Sequence, residues 1–135
     1  MAERVLADFA GRWRLSRVIA PVGQPEAQFE GVADWVPDAE GRLSYAESGL
    51  LRVPGQAEMR AERRYVWDAE LNVWFEDGRF FHAVPAGGGQ ARHWCDPDWY
   101  EVTYRFGDWP AFDVEWQVRG PRKDYTSVTR YTRDT

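Results

Sequence analysis

The sequence is poor in the side chains that staple proteins or bind metals, with one cysteine and two histidines among 135 residues. A lone cysteine, Cys95, cannot form an intramolecular disulfide, which argues against a disulfide-stapled secreted fold. No apolar run approaches the ~18 residues that a membrane-spanning helix needs. The N-terminal stretch contains acidic residues and lacks the long apolar core of a secretory signal peptide. We therefore expect a cytoplasmic protein without a membrane segment.

Positive charge is also scarce, since 17 Lys and Arg face 22 Asp and Glu, for a net charge of −5. Nucleic-acid binding requires clustered basic residues, so this balance argues against a nucleic-acid partner. The sequence contains no G-x-S-x-G, no Walker loop and no G-x-G-x-x-G, and the glycine run 87–89 reads as a turn because no helix follows it. We expect no cofactor. The length suits a single domain over residues 1–135.

Aromatic residues are abundant, at 16% of the chain with eight tryptophans. They stand in alternating runs of roughly six to twelve residues between regularly spaced Gly, Pro and Asp turn signals. Such spacing predicts an all-β fold of roughly ten antiparallel strands closed into an up-and-down barrel. Only residues 3–10 read as a short helix, because Val5, Leu6 and Phe9 share one helical face.

The segment LNVWFEDGRFFHAV predicts a hairpin, because Asp77-Gly78 suits a two-residue type I′ turn. That turn sets Phe75 opposite Phe80 and Val73 opposite His82. The apolar face of the hairpin should point inward. We therefore predict that these inward residues are Leu71, Val73, Phe75, Phe80, His82 and Val84.

The same alternation on the other strands directs charged groups into the barrel, among them Arg17, Glu47, Arg63 and His93. A sealed core disfavours unpaired charges, whereas a barrel of this size is wide enough for water and a ligand. A register shift at a bulge is the structural alternative, since it would reverse a strand's faces.

Two arginines and two histidines favour an anionic group, and aromatic walls favour a flat or apolar body. We predict a small amphipathic or aromatic anion as the ligand. The candidate ligand-binding residues are Trp13, Arg17, Tyr45, Glu47, Arg63, Tyr65, Trp67, His82, His93, Cys95, Tyr100, Tyr104, Trp116 and Tyr125. Arg119, Lys123 and Asp124 flank a Gly-Pro turn that would lie at the cavity mouth.

Other interpretations remain open at this point. A lyase or isomerase would use Tyr65 or His82 as acid or base, with the pKa of Glu47 raised by burial. A filled barrel would instead serve protein interaction and contain no cavity beyond a few waters. His82, His93 and Cys95 offer three metal donors, although their spacing fits no compact zinc motif. We expect three tryptophans to face outward: Trp74, Trp94 and Trp99. They would either form a homodimer patch or lie singly on the outside of the barrel.

The opening FAGRWRL, with Gly11-x-Trp13 after the short helix, resembles calycins, the lipocalin and fatty-acid-binding-protein superfamily. The segments RRYVW, FEDGRFFH, HWCDPDWYEVTY and VRGPRKDY are similar to those of a mainly bacterial family of single-domain calycin-like proteins without assigned activity. The resemblance covers about residues 9–133 and implies a closed barrel with a central cavity.

Two features of that superfamily are absent here. Haem-binding relatives use a late histidine, and none follows His93. Secreted lipocalins carry signal peptides and disulfides, and we expect neither in this sequence. Some barrels of this type decarboxylate or isomerise small acids; Tyr45, Glu47, Arg63 and Tyr65 could act similarly, without a motif match.

Overall fold

The computed structural model of the protein describes residues 3–134. Ten strands follow a single 3-10 turn along the chain. They are β1 (Gly11–Pro21), β2 (Ala27–Pro37), β3 (Leu43–Arg52), β4 (Met59–Trp67), β5 (Asn72–Phe75), β6 (Phe80–Ala83), β7 (Gly89–Cys95), β8 (Asp98–Arg105), β9 (Phe112–Arg119) and β10 (Asp124–Arg133). Within residues 3–134, no helix has the length and apolarity required to cross a membrane.

The strands form one antiparallel sheet in the order β6-β5-β4-β3-β2-β1-β10-β9-β8-β7. Strands β1 and β10 pair in the middle of the sheet, and β6 and β7 are its two edges. The sheet curls until these edges meet without a backbone ladder between them, which leaves a seam in a nearly closed barrel. The predicted ten-stranded antiparallel barrel is thus confirmed, and its closure at the β6–β7 seam depends on side chains.

The N-terminal helix predicted over residues 3–10 is wrong, because the structure has only a four-residue 3-10 helix, Leu6–Phe9. So short a segment cannot sustain a helix by propensity, and tertiary packing decides its conformation. Phe9 is fully buried, and its backbone carbonyl accepts a hydrogen bond of 2.9 Å from Trp13 Nε1. Gly11 then adopts a φ of +114°, which turns the chain into β1.

Phe9 belongs to a cluster of rings that seals one end of the barrel, here called the aromatic end. The other members are Trp13, Trp35, Trp67, Trp109 and Phe112. At the opposite end, which we call the hairpin end after the β9–β10 turn, inward side chains are only half-buried. Arg63, Trp116 and Tyr125 are examples. The interior is therefore accessible from the hairpin end.

The β5–β6 hairpin departs from its predicted register. Phe75 N–H donates to Arg79 O at 2.8 Å and Gly78 N–H donates to Phe75 O at 2.9 Å, so the loop has three residues. Val73 lies opposite His82 as predicted, but a bulge then sets Phe80 opposite Trp74.

The bulge reverses two phenylalanines. Phe80 was predicted to point inward and is 43% exposed, whereas Phe81, predicted to point outward, is 1% exposed. The bulge leaves Phe81 unpaired between Phe80 and His82, so Phe80 and Phe81 exchange faces while His82 keeps its predicted face. As a result the successive residues Phe81 and His82 are both buried.

Strands β2 and β3 approach closely where Gly31 faces Gly49. A Cβ atom on Gly31 would lie 2.1 Å from Ser48 O, and one on Gly49 would lie 2.2 Å from Glu30 O. Real Cβ atoms essentially never come so near to a backbone oxygen. Only glycine permits this approach at both positions.

Candidate functional site

The barrel interior contains a central cavity of about 30 Å³, lined by polar and aromatic side chains from eight strands. That volume suits about one or two water molecules. Nine of the fourteen candidate ligand-binding residues line it: Arg17, Tyr45, Glu47, Arg63, Tyr65, Trp67, His82, Tyr104 and Trp116. Strand alternation thus predicted most of this lining, while the assignment of a ligand to it stays a prediction.

The other five candidates lie elsewhere. Trp13 is fully buried in the aromatic end. His93 and Cys95 lie on edge strand β7 and are half-buried. Tyr100 and Tyr125 are half-buried at the hairpin end.

The predicted mouth residues lie at the β9–β10 hairpin, with Arg119 closing β9 and Asp124 opening β10. Lys123 Nζ donates to Tyr100 Oη at 3.2 Å and lies 3.2 Å from Asp98 Oδ2. These contacts raise the pKa of Lys123 above its usual value. The hairpin is therefore tied to β8, and the charge of Lys123 is already paired.

Arg17 and Glu47 form a buried, bidentate ion pair in the middle of the barrel. The two guanidinium nitrogens lie 2.7 and 2.9 Å from the carboxylate oxygens, and Arg17 Nε donates to Thr129 Oγ1 at 2.7 Å. The side chains are only 6% and 2% exposed. The bidentate geometry, with every oxygen and nitrogen in a hydrogen bond, offsets the free-energy cost of removing both charges from water.

The pKa of Glu47 is the opposite of what an acid catalyst at this position requires. Burial alone would raise it, but hydrogen bonds from Arg17 and from Tyr45 Oη, at 2.5 Å, outweigh burial and lower the pKa of Glu47. The expectation of a raised pKa was therefore wrong, because the alternation pattern did not show that Arg17 reaches Glu47. Glu47 is an ionised partner of Arg17 at neutral pH.

Tyr45 and Tyr131 extend this network, with their hydroxyl oxygens 2.9 Å apart. Burial raises the pKa of Tyr131 to about 12 and also raises the pKa of Tyr45 well above its usual value. Both hydroxyls therefore keep their protons at neutral pH and add no charge to the interior.

Arg63 is the second arginine of the interior, and its surroundings differ from those of Arg17. Its guanidinium carbon lies 5.0 Å from the centre of the Trp116 ring, a cation–π contact. Within residues 3–134 the structure shows no ion pair or hydrogen bond of the Arg63 guanidinium. Arg63 therefore brings a positive charge without a contacting carboxylate.

A second hollow, of about 90 Å³, adjoins the central cavity on the side of strands β1 to β4. Arg17, Glu47 and Arg63 line both spaces, so these charged groups form the partition between them. The other residues that line the second hollow are the apolar Ile19, Phe29, Leu51 and Ala61, and the exposed Glu62.

His82 lies at the seam side of the cavity and is 2% exposed. Its Nε2 is 2.9 Å from Tyr104 Oη, while its buried Nδ1 has no hydrogen-bond partner among the described residues. Burial, with a smaller contribution from His93, lowers the pKa of His82 to about 3. The imidazole is therefore neutral near pH 7 and leaves one polar nitrogen unsatisfied.

His93 and Cys95 do not join His82 in a metal site. Among residues 3–134, no three His, Cys, Asp or Glu side chains are grouped so that they could hold a metal ion. His93 instead packs against the phenylalanines of the seam, 5.6 Å from the Phe81 ring and 6.3 Å from the Phe80 ring. The three predicted metal donors are thus not brought together.

Six lining residues were not among the candidates: Val73, Phe81, Phe112, Val114, Thr129 and Tyr131. Thr129 and Tyr131 are buried on β10, and only the hydrogen bonds of the folded barrel identify them as part of the site. Phe81 was missed because the bulge turns its side chain inward. The sequence did allow this outcome, because Glu76, Asp77 and Gly78 can form a three-residue loop with a bulge as well as a two-residue turn.

The three tryptophans of the predicted dimer patch differ in how far they are exposed to solvent. Trp94 is 56% exposed, whereas Trp74 and Trp99 are half-buried. Trp74 Nε1 donates to Asp68 Oδ2 at 2.9 Å, so that ring is already engaged within the chain. The homodimer remains a prediction.

Comparison with known proteins gives a family and two fold neighbours. The sequence model of a family of unknown function, DUF6314, matches residues 9–133. No curated protein matches the chain. The S-type phycobiliprotein lyase from Guillardia theta has a similar fold, with a TM-score of 0.68 and 13% identity over 96% of this chain and 90% of that one.

A second fold neighbour is a DUF3598-family protein of unknown function from Nostoc punctiforme. Its TM-score is 0.62 at 13% identity, over 97% of this chain and 49% of that one, so the present chain spans about half its length. At this identity both likenesses concern the fold alone. The calycin assignment and a bacterial source stay predictions.

Proposed function

Because the chain belongs to the DUF6314 family, for which no function is known, we propose a function from the site itself: binding of a small amphipathic or aromatic anion in the barrel. The observation that carries this proposal is the guanidinium of Arg63, which lies above the Trp116 ring and has no ion pair or hydrogen bond within residues 3–134. A buried or half-buried cation without a contacting carboxylate favours an anionic partner.

The charges of the interior support an anion over a cation or a neutral ligand. Arg17 and Glu47 neutralise each other, and His82 and the buried tyrosines are neutral near pH 7. Arg63 then leaves the lining with a surplus of one positive charge. A ligand with a single negative group would balance it.

The walls near Arg63 favour a flat or apolar body. Trp116, Tyr65 and Tyr100 are partly buried rings packed against the core. The uncharged wall of the adjoining hollow consists of Ile19, Phe29, Leu51 and Ala61. Such surfaces bind apolar or aromatic groups, while one or two polar groups orient the ligand. A small amphipathic acid satisfies both requirements.

The volume, taken alone, favours the filled barrel. A cavity that holds benzene measures about 150 Å³, and the two spaces here measure about 30 and 90 Å³. Ligand entry therefore requires a side chain or a strand to move. The unsatisfied Nδ1 of His82 and the unpaired Arg63 argue against a core evolved only for packing.

Native mass spectrometry of the freshly purified protein, compared with its denatured mass, tests the proposal. We expect a retained small anion, released by Arg63→Met. Arg64→Met is the matched control, because Arg64 is the next residue on β4 and is exposed on the outer face. Retention that survives Arg63→Met, or an anion screen without any Arg63-dependent binding, would contradict the proposal.

A lyase or isomerase in the same cavity is the second candidate. The observation that favours it is the His82–Tyr104 pair, two titratable side chains that line the cavity within hydrogen-bond reach of each other, with His82 Nδ1 unsatisfied among the described residues. The fold likeness to a protein named a phycobiliprotein lyase is compatible with an enzyme. Incubation of a retained acid in D₂O would reveal proton exchange by mass, and His82→Gln should abolish that exchange if this candidate is right.

A further inference from the structure

We propose that Phe81 is a built-in plug: its ring occupies the position that the aromatic group of the anionic ligand takes when the site is filled. This inference rests on the proposed function and adds the ligand's class, a ring of phenyl size with one negative group. It also accounts for the small volume of the cavity.

The Phe81 ring lies in an aromatic cage inside the barrel. It is 1% exposed and lines the central cavity. Its ring centre is 4.7 Å from Phe75 in a stacked geometry, and 5.4 Å from both Tyr100 and Trp116 in edge-on geometry. Edge-on and stacked contacts of this kind suit any flat ring, including one supplied by a ligand.

Phe81 and Arg63 share a neighbour, which links the plug to the charge. The Trp116 ring contacts Phe81 at 5.4 Å and the Arg63 guanidinium at 5.0 Å. A ring in the place of Phe81 would therefore contact the same indole as a cation that has no carboxylate in contact with it. Benzoate has the matching chemistry, a phenyl ring with one carboxylate.

The strand that carries Phe81 is the least anchored in the barrel. β6 has four residues, pairs on one side only, with β5, and contains a bulge at Phe81. No backbone ladder joins it to β7 across the seam. Short edge elements with few backbone partners open at low free-energy cost, so β6 is the natural element to withdraw its ring.

Phe9 provides a matched comparison. It is another fully buried phenylalanine, but it lies in the aromatic end and does not line the central cavity. Phe81→Ala and Phe9→Ala remove the same atoms from the core. Only the first vacancy lies beside Trp116, the ring that also contacts Arg63.

Isothermal titration with benzoate and its neutral analogue benzamide tests the plug. We expect benzoate to bind Phe81→Ala at least tenfold more tightly than the unmodified protein. Phe9→Ala should show no such gain. In Phe81→Ala, benzoate should exceed benzamide by at least fivefold, and adding Arg63→Met should remove that preference. Should Phe81→Ala fail to fold, Phe81→Leu leaves a smaller vacancy, and a gain in the same direction is expected.

The outcomes separate the two proposals. Arg63-dependent binding in the unmodified protein without any gain in Phe81→Ala or Phe81→Leu would overturn the plug and leave the anion site standing. A gain that persists with Arg63→Met, or that Phe9→Ala reproduces, would reduce Phe81 to an ordinary core residue. If no variant binds benzoate and no anion depends on Arg63, both proposals fail.

Discussion

His82 Nε2 and Tyr104 Oη, 2.9 Å apart, connect edge strand β6 to β8 through the barrel interior. Both side chains are at least 95% buried, so water does not compete for this hydrogen bond. The backbone edges of β6 and β7 are unpaired at the same seam. This side-chain hydrogen bond thus helps to hold β6 in the barrel, where no backbone hydrogen bonds join β6 to β7.

The pH dependence of stability should report His82. Its pKa is about 3 in the folded protein and 6.5 in a solvated chain, so between these values the unfolded state binds a proton that the folded state does not. Stability should fall as the pH drops below 6.5, by up to about 1.4 kcal/mol per pH unit. Urea unfolding from pH 7.5 to about 4.5 measures this slope.

His82→Gln should flatten the pH profile, because glutamine does not titrate. His93→Gln is the control, since His93 is half-buried on β7 and lacks the hydrogen bond to Tyr104. It should keep most of the slope. Parallel profiles for the unmodified protein and His82→Gln would show that the histidine is charged or absent from the core near pH 5.

Removal of the Glu47 charge should destabilise the fold strongly. Glu47→Gln leaves the Arg17 guanidinium, which is 6% exposed, without its carboxylate. Breaking a buried pair at one partner costs about 3–5 kcal/mol in free energy of unfolding. Arg17→Met combined with Glu47→Leu should cost less than the two single changes added together, because no buried charge is left alone.

The surface ion pair Arg12–Asp34 is the control for the substitutions of Arg17 and Glu47. It has similar geometry, at 2.9 Å, but its side chains are 56% and 32% exposed. Asp34→Asn should change the denaturation midpoint little. Equal effects for Asp34→Asn and Glu47→Gln would mean that the central pair is solvated.

Arg63→Met should leave stability nearly unchanged, unlike Arg17→Met. Arg63 contributes a cation–π contact with Trp116, worth about 0.5–1 kcal/mol, whereas Arg17 holds Glu47 and Thr129. Thermal unfolding of both variants in the absence of ligand checks this. A large loss in Arg63→Met would show that the residue is structural and would weaken the anion site.

The close approach of β2 and β3 should tolerate no side chain. Gly31→Ala or Gly49→Ala sets a methyl group against a backbone oxygen, so the strands must separate, and we expect a loss of about 1–3 kcal/mol or more. Gly107→Ala is the control, because a Cβ there meets nothing within 4 Å. Chemical denaturation compares the three, and equal midpoints would refute the close approach.

The sequence predicted the sides of the strands better than their connections. Arg17 and Glu47 were assigned inward because apolar neighbours two residues away, such as Leu15 and Tyr45, define a face that the pleat preserves. Their pairing was not predictable, because it depends on how two strands separated by β2 curl toward each other. For that reason the pKa of Glu47 was predicted to be raised, whereas in the structure it is lowered.

The β5–β6 hairpin shows where local rules fail. Asp77-Gly78 fits both a two-residue turn and a three-residue loop, and the difference of one residue exchanged Phe80 with Phe81. The short helix predicted around Phe9 failed for a related reason, since burial of one ring outweighed helical periodicity. Both errors concern segments in which tertiary packing decides between nearly equal local conformations.

The pairing of β1 with β10 has a consequence for the order in which the barrel is assembled. Arg17 lies opposite Thr129, so the two strands at the centre of the sheet come from distant parts of the chain. Strands β1 to β6 form one meander and β7 to β9 another, and only β10 joins them. A nascent chain would therefore hold two unfinished half-sheets until β10 emerges, and their exposed edges make that interval the period of greatest risk of aggregation.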